Sequence, residues 1–252
     1  MGVQAQANTA TSFGSRENAT SGLIGILYDF KQDQKRQPTG LRPEDYTKVL
    51  AEFLRKGWSE DVLNRYFRAT RPLYTSQIFI PEMNADQAPK AFGVEKIIRP
   101  ASWIVYYKGQ VSAPEDGTYR FLAYADDVIA VAVDGRVVCL AGRPDTANQL
   151  PSWKAPEQGT EIPAANGKLV YGDWMELKKD QPIDLDIIIG ERPGGLFSAF
   201  LLYEKRGAPY PADAAGLIRY PVFQLAPSEI PPAPAKKTAP FSVSGRPWTG
   251  IQ

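Results

Sequence analysis

The stretch from Gly117 to Gly135, GTYRFLAYADDVIAVAVDG, constrains the fold more than any other part of this chain. Tyr119, Phe121 and Ala123 alternate with outward-facing neighbours. So do Val131 and Val133, just before Asp134-Gly135, a dipeptide that forms two-residue hairpin turns. The block therefore reads as strand, acidic turn, strand, tight turn. A bare hairpin needs no adjacent carboxylates, so Asp126 and Asp127 call for a separate explanation.

The same pattern recurs along the chain. Ile78–Ile80, Ser102–Tyr107, Tyr119–Tyr124, Val128–Val133, Val137–Leu140, Ile183–Ile189 and Phe197–Tyr203 are strand candidates, with turns at short intervals. Leu23–Phe30 reads as a first strand. Seven or more short strands punctuated by Gly and Pro predict an all-β antiparallel sandwich. One segment breaks the period. Pro43 opens a helix, Tyr46, Val49, Leu50, Phe53 and Leu54 share its apolar face, and Gly57 stops it. Ser59 caps a second short helix whose apolar face is Val62, Leu63, Tyr66 and Phe67. The reading is a helical hairpin inserted at 43–68. Gly142–Gly172 is polar and Pro-rich and reads as a long surface excursion.

The flanks differ from this core. Residues 1–21 have no period and read as an extended N-terminal arm. Residues 207–252 form a Pro-rich C-terminal tail. Within it, Pro231–Lys237 is expected as extended polyproline, and Phe241, Trp248 and Ile251 lack periodicity. The sandwich domain is thereby bounded at 22–206. An apolar tip on an extended tail docks either on its own domain or on a neighbour.

Composition removes several function classes. The 252 residues carry 29 basic and 28 acidic side chains, a net charge of +1, and no basic run, so no nucleic-acid footprint follows. No apolar run is long enough to span a bilayer. There is no histidine, which excludes a serine–histidine–acid hydrolase and any imidazole zinc site. The single cysteine, Cys139, follows Val137 and Val138 and reads as a small core residue. Asp184 and Asp186 share one strand face. Glycosidase chemistry instead needs two carboxylates about 5 to 9.5 Å apart across a cleft. Gly190–Gly195 is no phosphate loop, because Pro193 interrupts it and no Lys-Ser or Lys-Thr follows. No catalytic constellation emerges, and the chain is read as non-enzymatic.

Gly-Thr-Tyr-x-Phe, then Asp-Asp, then Val-x-Val-Asp-Gly, resembles the anthrax protective-antigen and yeast-flocculin domain family. Gly22-Leu23-Ile24-Gly25 with Tyr28 is similar to that family's opening strand. Leu177–Ile183, Asp184–Ile189, Gly194-Gly195 and Phe200–Tyr203 are similar to its closing strands. The resemblance covers 22–30 and about 102–205. It implies a β-sandwich of that type and a carbohydrate-binding function, with a calcium ion on Asp126 and Asp127 joined by a cis peptide. It also implies export to the cell surface or the extracellular space, although Met1–Asn18 shows no signal-peptide pattern.

Calcium takes about six to eight oxygens, so further donors are needed. The second loop, Gly190–Gly195, offers Glu191 as one. That loop has no asparagine and contains Arg192, and Val128 stands where the family commonly has Gly. The alternative is that one aspartate caps a turn and the other pairs with Arg136 or Arg143. Trp153 and Trp174, in or beside the long loop, are the candidate sugar-stacking residues. Two expectations for the whole chain therefore stand side by side. One is a surface or secreted module that binds a glycan at Asp126, Asp127, Trp153 and Trp174, with calcium held by Asp126, Asp127 and Glu191. The other is a structural subunit that builds a layer or filament of like copies through residues 1–21 and 227–252.

Overall fold

The computed structural model describes residues 10–17, 22–150, 153–161, 168–214, 216–227 and 245–251. In chain order the elements are β1 (Leu23–Asp29), α1 (Tyr46–Arg55), α2 (Glu60–Leu63), β2 (Phe67–Arg68), β3 (Leu73–Thr75), β4 (Phe79–Asn84) and α3 (Gln87–Ala91). There follow β5 (Trp103–Ser112), β6 (Gly117–Asp126), β7 (Val128–Val133), β8 (Arg136–Gly142), α4 (Pro144–Ala147), β9 (Thr160–Glu161), β10 (Lys168–Tyr171) and β11 (Met175–Leu177). The last three are β12 (Ile183–Glu191), β13 (Leu196–Lys205) and β14 (Thr249–Ile251).

Two antiparallel sheets result. The first has the order β2-β1-β5-β12-β7-β8, with β3 added to β1 and β14 to β5. The second has the order β4-β13-β6-β10-β9, with β11 added to β6. The alternation expected in β6 is realised side by side: Phe121, Ala123 and Ala125 enter the core between the sheets, while Leu122 and Tyr124 face outward. The Asp134-Gly135 turn closes β7 onto β8, pairing Val133 with Arg136, and both turn residues have positive φ.

Each sheet is covered on its outer face as well. The helical hairpin lies on the first sheet, where Tyr46, Leu50, Phe53 and Leu63 pack against Ile104, Val128, Ala130, Ala132 and Ile188. This explains why every residue of β7 is buried: Ile129 and Val131 meet the second sheet, Val128 and Ala130 meet the helices. Ser59 caps α2 by accepting a hydrogen bond from the Asp61 amide at 3.3 Å. Phe67, read from the sequence as part of the helical face, instead sits in β2 and pairs with Asp29 of β1. A pair of residues is too short for periodicity to register. The 142–172 excursion likewise contains the one-turn helix α4 and two short strands, β10 paired onto β6 and β9 paired onto β10, so the strands are made by pairing rather than by local pattern.

The described parts of both flanks are built into the same body. Phe13 is 1% exposed and packs on Trp103 and Phe197. Trp248 is 1% exposed, within 5.5–5.7 Å of the Tyr119, Phe121, Tyr203 and Phe223 rings. Residues 221–223 lie along β13: the Tyr203 amide donates to Pro221 O at 3.0 Å and the Phe223 amide to Leu201 O at 2.9 Å. The tail thus adds to edges of its own sheets, and β14 does the same beside β5. Of the two docking options for the tail's apolar tip, Trp248 takes its own domain, and Phe13 of the N-terminal segment does the same. Residues 1–9 and 18–21, the 231–237 polyproline stretch and Phe241 lie outside the described residues. Because Trp248 fills the core with four aromatic neighbours, Trp248→Ala is expected to cost about 3–5 kcal/mol. Urea denaturation of dilute protein checks this; an unchanged midpoint would mean the tail does not dock at home.

Candidate functional site

One end of the sandwich gathers the chemistry. β1, β6, β8 and β12 all finish there, and β5, β7 and β13 begin there. The peptide bond between Asp126 and Asp127 is cis. Asp127 is 1% exposed and held from three sides. Its amide donates to Gly190 O at 3.2 Å, its carbonyl accepts from the Arg143 amide at 2.9 Å, and its Oδ2 accepts from the Arg192 amide at 2.7 Å. Asp126 is the outer member of the pair, with its side chain 22% exposed.

Two loops complete the site. At the end of β8, Gly142 has φ +154°, and a side chain there would collide with Asp127 O. That close approach brings Arg143 over the pair. Its guanidinium lies 3.8 Å from Asp126 Oδ1, 3.6 Å from Asp127 Oδ1 and 3.5 Å from Asp145 Oδ1. At the end of β12, Glu191 is 1% exposed. Its Oε1 accepts from the Gly194 amide at 2.7 Å, while its Oε2 is buried and unpartnered among the described residues. The Arg192 guanidinium is ion-paired with Asp145. The helical hairpin reaches this end too. Tyr46 of α1 is fully buried and donates to Trp103 O at 3.3 Å. A Cβ on Gly190 would overlap the Tyr46 hydroxyl, so the helix can seat only above a glycine.

Four carboxyl groups thus face two guanidinium groups. Burial, and next the charge of Asp127, push Glu191 up to about 9. The same two causes push Asp126 up to about 6, with Arg143 opposing.

Of the residues expected at the site, Asp126, Asp127 and Glu191 do come to one end. Trp174 does not: its ring lies 4.3 Å from the Arg120 guanidinium and 4.5 Å from that of Arg206. Arg120 is six residues from Asp126 along β6, about 20 Å at strand rise. Trp153 is half-buried against the cluster beneath the helical hairpin. The arginine alternative is realised by Arg143, whereas Arg136 pairs with Asp173 at 3.1 Å. Asp184 accepts from Gln110 at 2.8 Å and Asp186 from the Tyr106 hydroxyl, so both serve the sheet face. Asp145 and Tyr46 were not expected here. An Arg-Pro-Asp run directly after a strand was the available signal for Asp145; nothing local marks Tyr46.

The donor set does not fit calcium as it stands. The unpartnered Glu191 Oε2 is the feature that favours a cation. Against it, Asp127 Oδ2 and Glu191 Oε1 are already used by backbone amides, and a guanidinium sits beside both aspartates. Among the described residues, no three acidic groups meet in metal-ligand geometry. An ion needing about six to eight oxygens would have to displace Arg143.

Glu191 also has a pH signature. Folded protein keeps a proton that the unfolded chain releases above the ordinary value of 4.5, so this stability is present at low pH and is lost as pH rises toward about 9. Glu191→Gln is expected to match the parent near pH 4 and to gain on it steadily up to pH 8. Melting temperatures of both proteins across that range provide the check; parallel curves would contradict the assignment.

No family model matches the chain, and no curated protein matches it. Among solved structures it is similar to the PA14 sugar-binding domain from an RTX adhesin, at 16% identity over 81% of this chain and 94% of that one, TM-score 0.44. It is similar to the epithelial adhesin 6 A domain from Candida glabrata in complex with Galβ1-3GlcNAc, at 16% identity over 83% and 91%, TM-score 0.45. It is also similar to the PA14 domain of the MpAFP antifreeze protein, at 14% identity over 78% and 86%, TM-score 0.43. PA14 is the module that the central Gly117–Gly135 block resembles.

Proposed function

We propose that this chain is a non-enzymatic binding module of the cell surface or extracellular space, with a carbohydrate ligand at the end of the sandwich where Asp126 and Asp127 meet. The observation that carries the reading is the Asp126–Asp127–Arg143 arrangement. It places a partly exposed carboxylate and a half-exposed guanidinium side by side on a buried, hydrogen-bonded base. Each sugar hydroxyl both donates and accepts, so a fixed acceptor beside a fixed donor suits two neighbouring hydroxyls. Strand ends hold both groups, so little ordering cost falls on binding. Leu196, 52% exposed, begins β13 two residues from Ser198, the register partner of Asp126, and offers an apolar contact to a sugar ring.

The described residues include no helix long and apolar enough to cross a membrane. The carboxyl and guanidinium groups around the acidic pair are three aspartates, a glutamate and two arginines, and with no histidine in the chain they form no acid–base pair with a nucleophile.

A screen of the full chain against neutral glycans, with Asp126→Ala beside the parent, tests the proposal. Asp126 is the outer carboxylate, so its removal leaves the buried base in place. The expected outcome is a bound glycan whose affinity falls at least about tenfold in Asp126→Ala, with the melting temperature retained. Equal binding by both proteins would move the ligand away from this end.

A further inference from the structure

The acidic pair is one that the family resemblance reads as a calcium site, yet the structure puts a side-chain cation beside it. Arg143 lies within 3.6–3.8 Å of both aspartates. It is not a loose surface arm. Its amide donates to Asp127 O at 2.9 Å, and its carbonyl accepts from the Thr146 and Ala147 amides at 2.9 and 2.8 Å, anchoring α4. Pro144 follows it and fixes the chain direction. The backbone from which the guanidinium extends therefore has a defined position, and the guanidinium lies 3.5–3.8 Å from three carboxylates. With the side chain 50% exposed, the N–H groups not turned to Asp126, Asp127 or Asp145 reach solvent.

We infer that Arg143 is a built-in counter-ion that takes the cation's place, so that this end of the sandwich recognises neighbouring hydroxyls of a neutral sugar without calcium. The guanidinium donates to one hydroxyl oxygen, and Asp126 accepts from the adjacent hydroxyl. This deepens the carbohydrate reading and rests on it for the ligand. The acid-rich surroundings set the ligand's charge. Glu191 keeps its proton near neutral pH, so three aspartates stand against two guanidinium groups, and the remaining negative charge disfavours sialylated, sulfated or phosphorylated sugars relative to neutral ones. Arg192 cannot reverse that balance, because its guanidinium is already paired with Asp145.

The test uses the full chain, with calcium chloride as the probe. Melting temperatures of the parent, Arg143→Lys and Arg143→Gln are measured in EDTA and in millimolar calcium. The parent and Arg143→Lys are expected to melt within about one degree of themselves in the two buffers. Arg143→Gln leaves the aspartates uncompensated and is expected to melt lower in EDTA and to rise with calcium. A saturable rise in the parent overturns the inference. If Arg143→Gln does not fold, the parent and Arg143→Lys still decide the point.

Glycan binding in the same two buffers separates this inference from the carbohydrate reading. Binding to neutral glycans in EDTA supports both. Binding only with calcium keeps the carbohydrate reading and overturns the counter-ion role. Binding in neither buffer overturns the carbohydrate reading and the hydroxyl-recognition half of the inference. A calcium response confined to Arg143→Gln would then still support Arg143 as the cation's substitute.

Discussion

Burial of the first sheet on both faces is the constraint on which the rest of the molecule depends. β7 has the sequence VIAVAV and no exposed residue. A strand of that kind needs apolar partners above and below. The second sheet supplies one layer and the α1–α2 hairpin the other. Without the hairpin, Tyr28, Ile104, Tyr106, Val128 and Ile188 would present a broad apolar face to water. The outer face of the second sheet is completed in the same way, by Tyr220 and Val222 against Leu122, Tyr124, Phe200 and Leu202. The protein is thus a layered stack in which the parts outside the sandwich proper are as necessary as the strands.

This layering also builds the site. The hairpin that covers the sheet carries Tyr46 to the end of β5 and β12, where its hydroxyl sits against Gly190. Water is thereby kept from Asp127 and Glu191, and the desolvation that raises Glu191 follows directly. Acidic groups brought together in such a place need a compensating charge. The structure provides Arg143 from the end of β8 and Arg192 from the end of β12, each fixed by its own backbone hydrogen bonds. Arg143 faces the pair and Arg192 takes Asp145, and the groups that balance charge in this way also give the surface its donors and acceptors.

Much of the fold was legible because its signals are local. Strand β7 begins and ends where alternation places it, and Asp134-Gly135 makes the turn. Pro43, Ser59 and Gly57 bound the helices as their backbone chemistry requires. Short elements were not legible. β2, β3, β9, β11 and β14 have two or three residues each and exist because a partner edge was waiting for them. In the site, the Asp126-Asp127 pair stood out, and Glu191 followed from the loop opposite. Tyr46 did not, since its role depends on which face of which sheet the hairpin covers.

The sequence by itself determined the class of fold, the position of the helical hairpin, the absence of histidine chemistry and the presence of an unusual acidic pair. Those are properties of residue type and of spacing along the chain. Tertiary structure alone decided that Phe13 and Trp248 return to their own core, that Trp174 lies between two guanidinium groups far from the pair, and that Arg143 rather than Arg136 compensates Asp126 and Asp127. The physical reason is common to all of these. Each contact joins groups distant in the chain or chooses between equivalent local partners, and only the register of the packed sheets settles which groups meet.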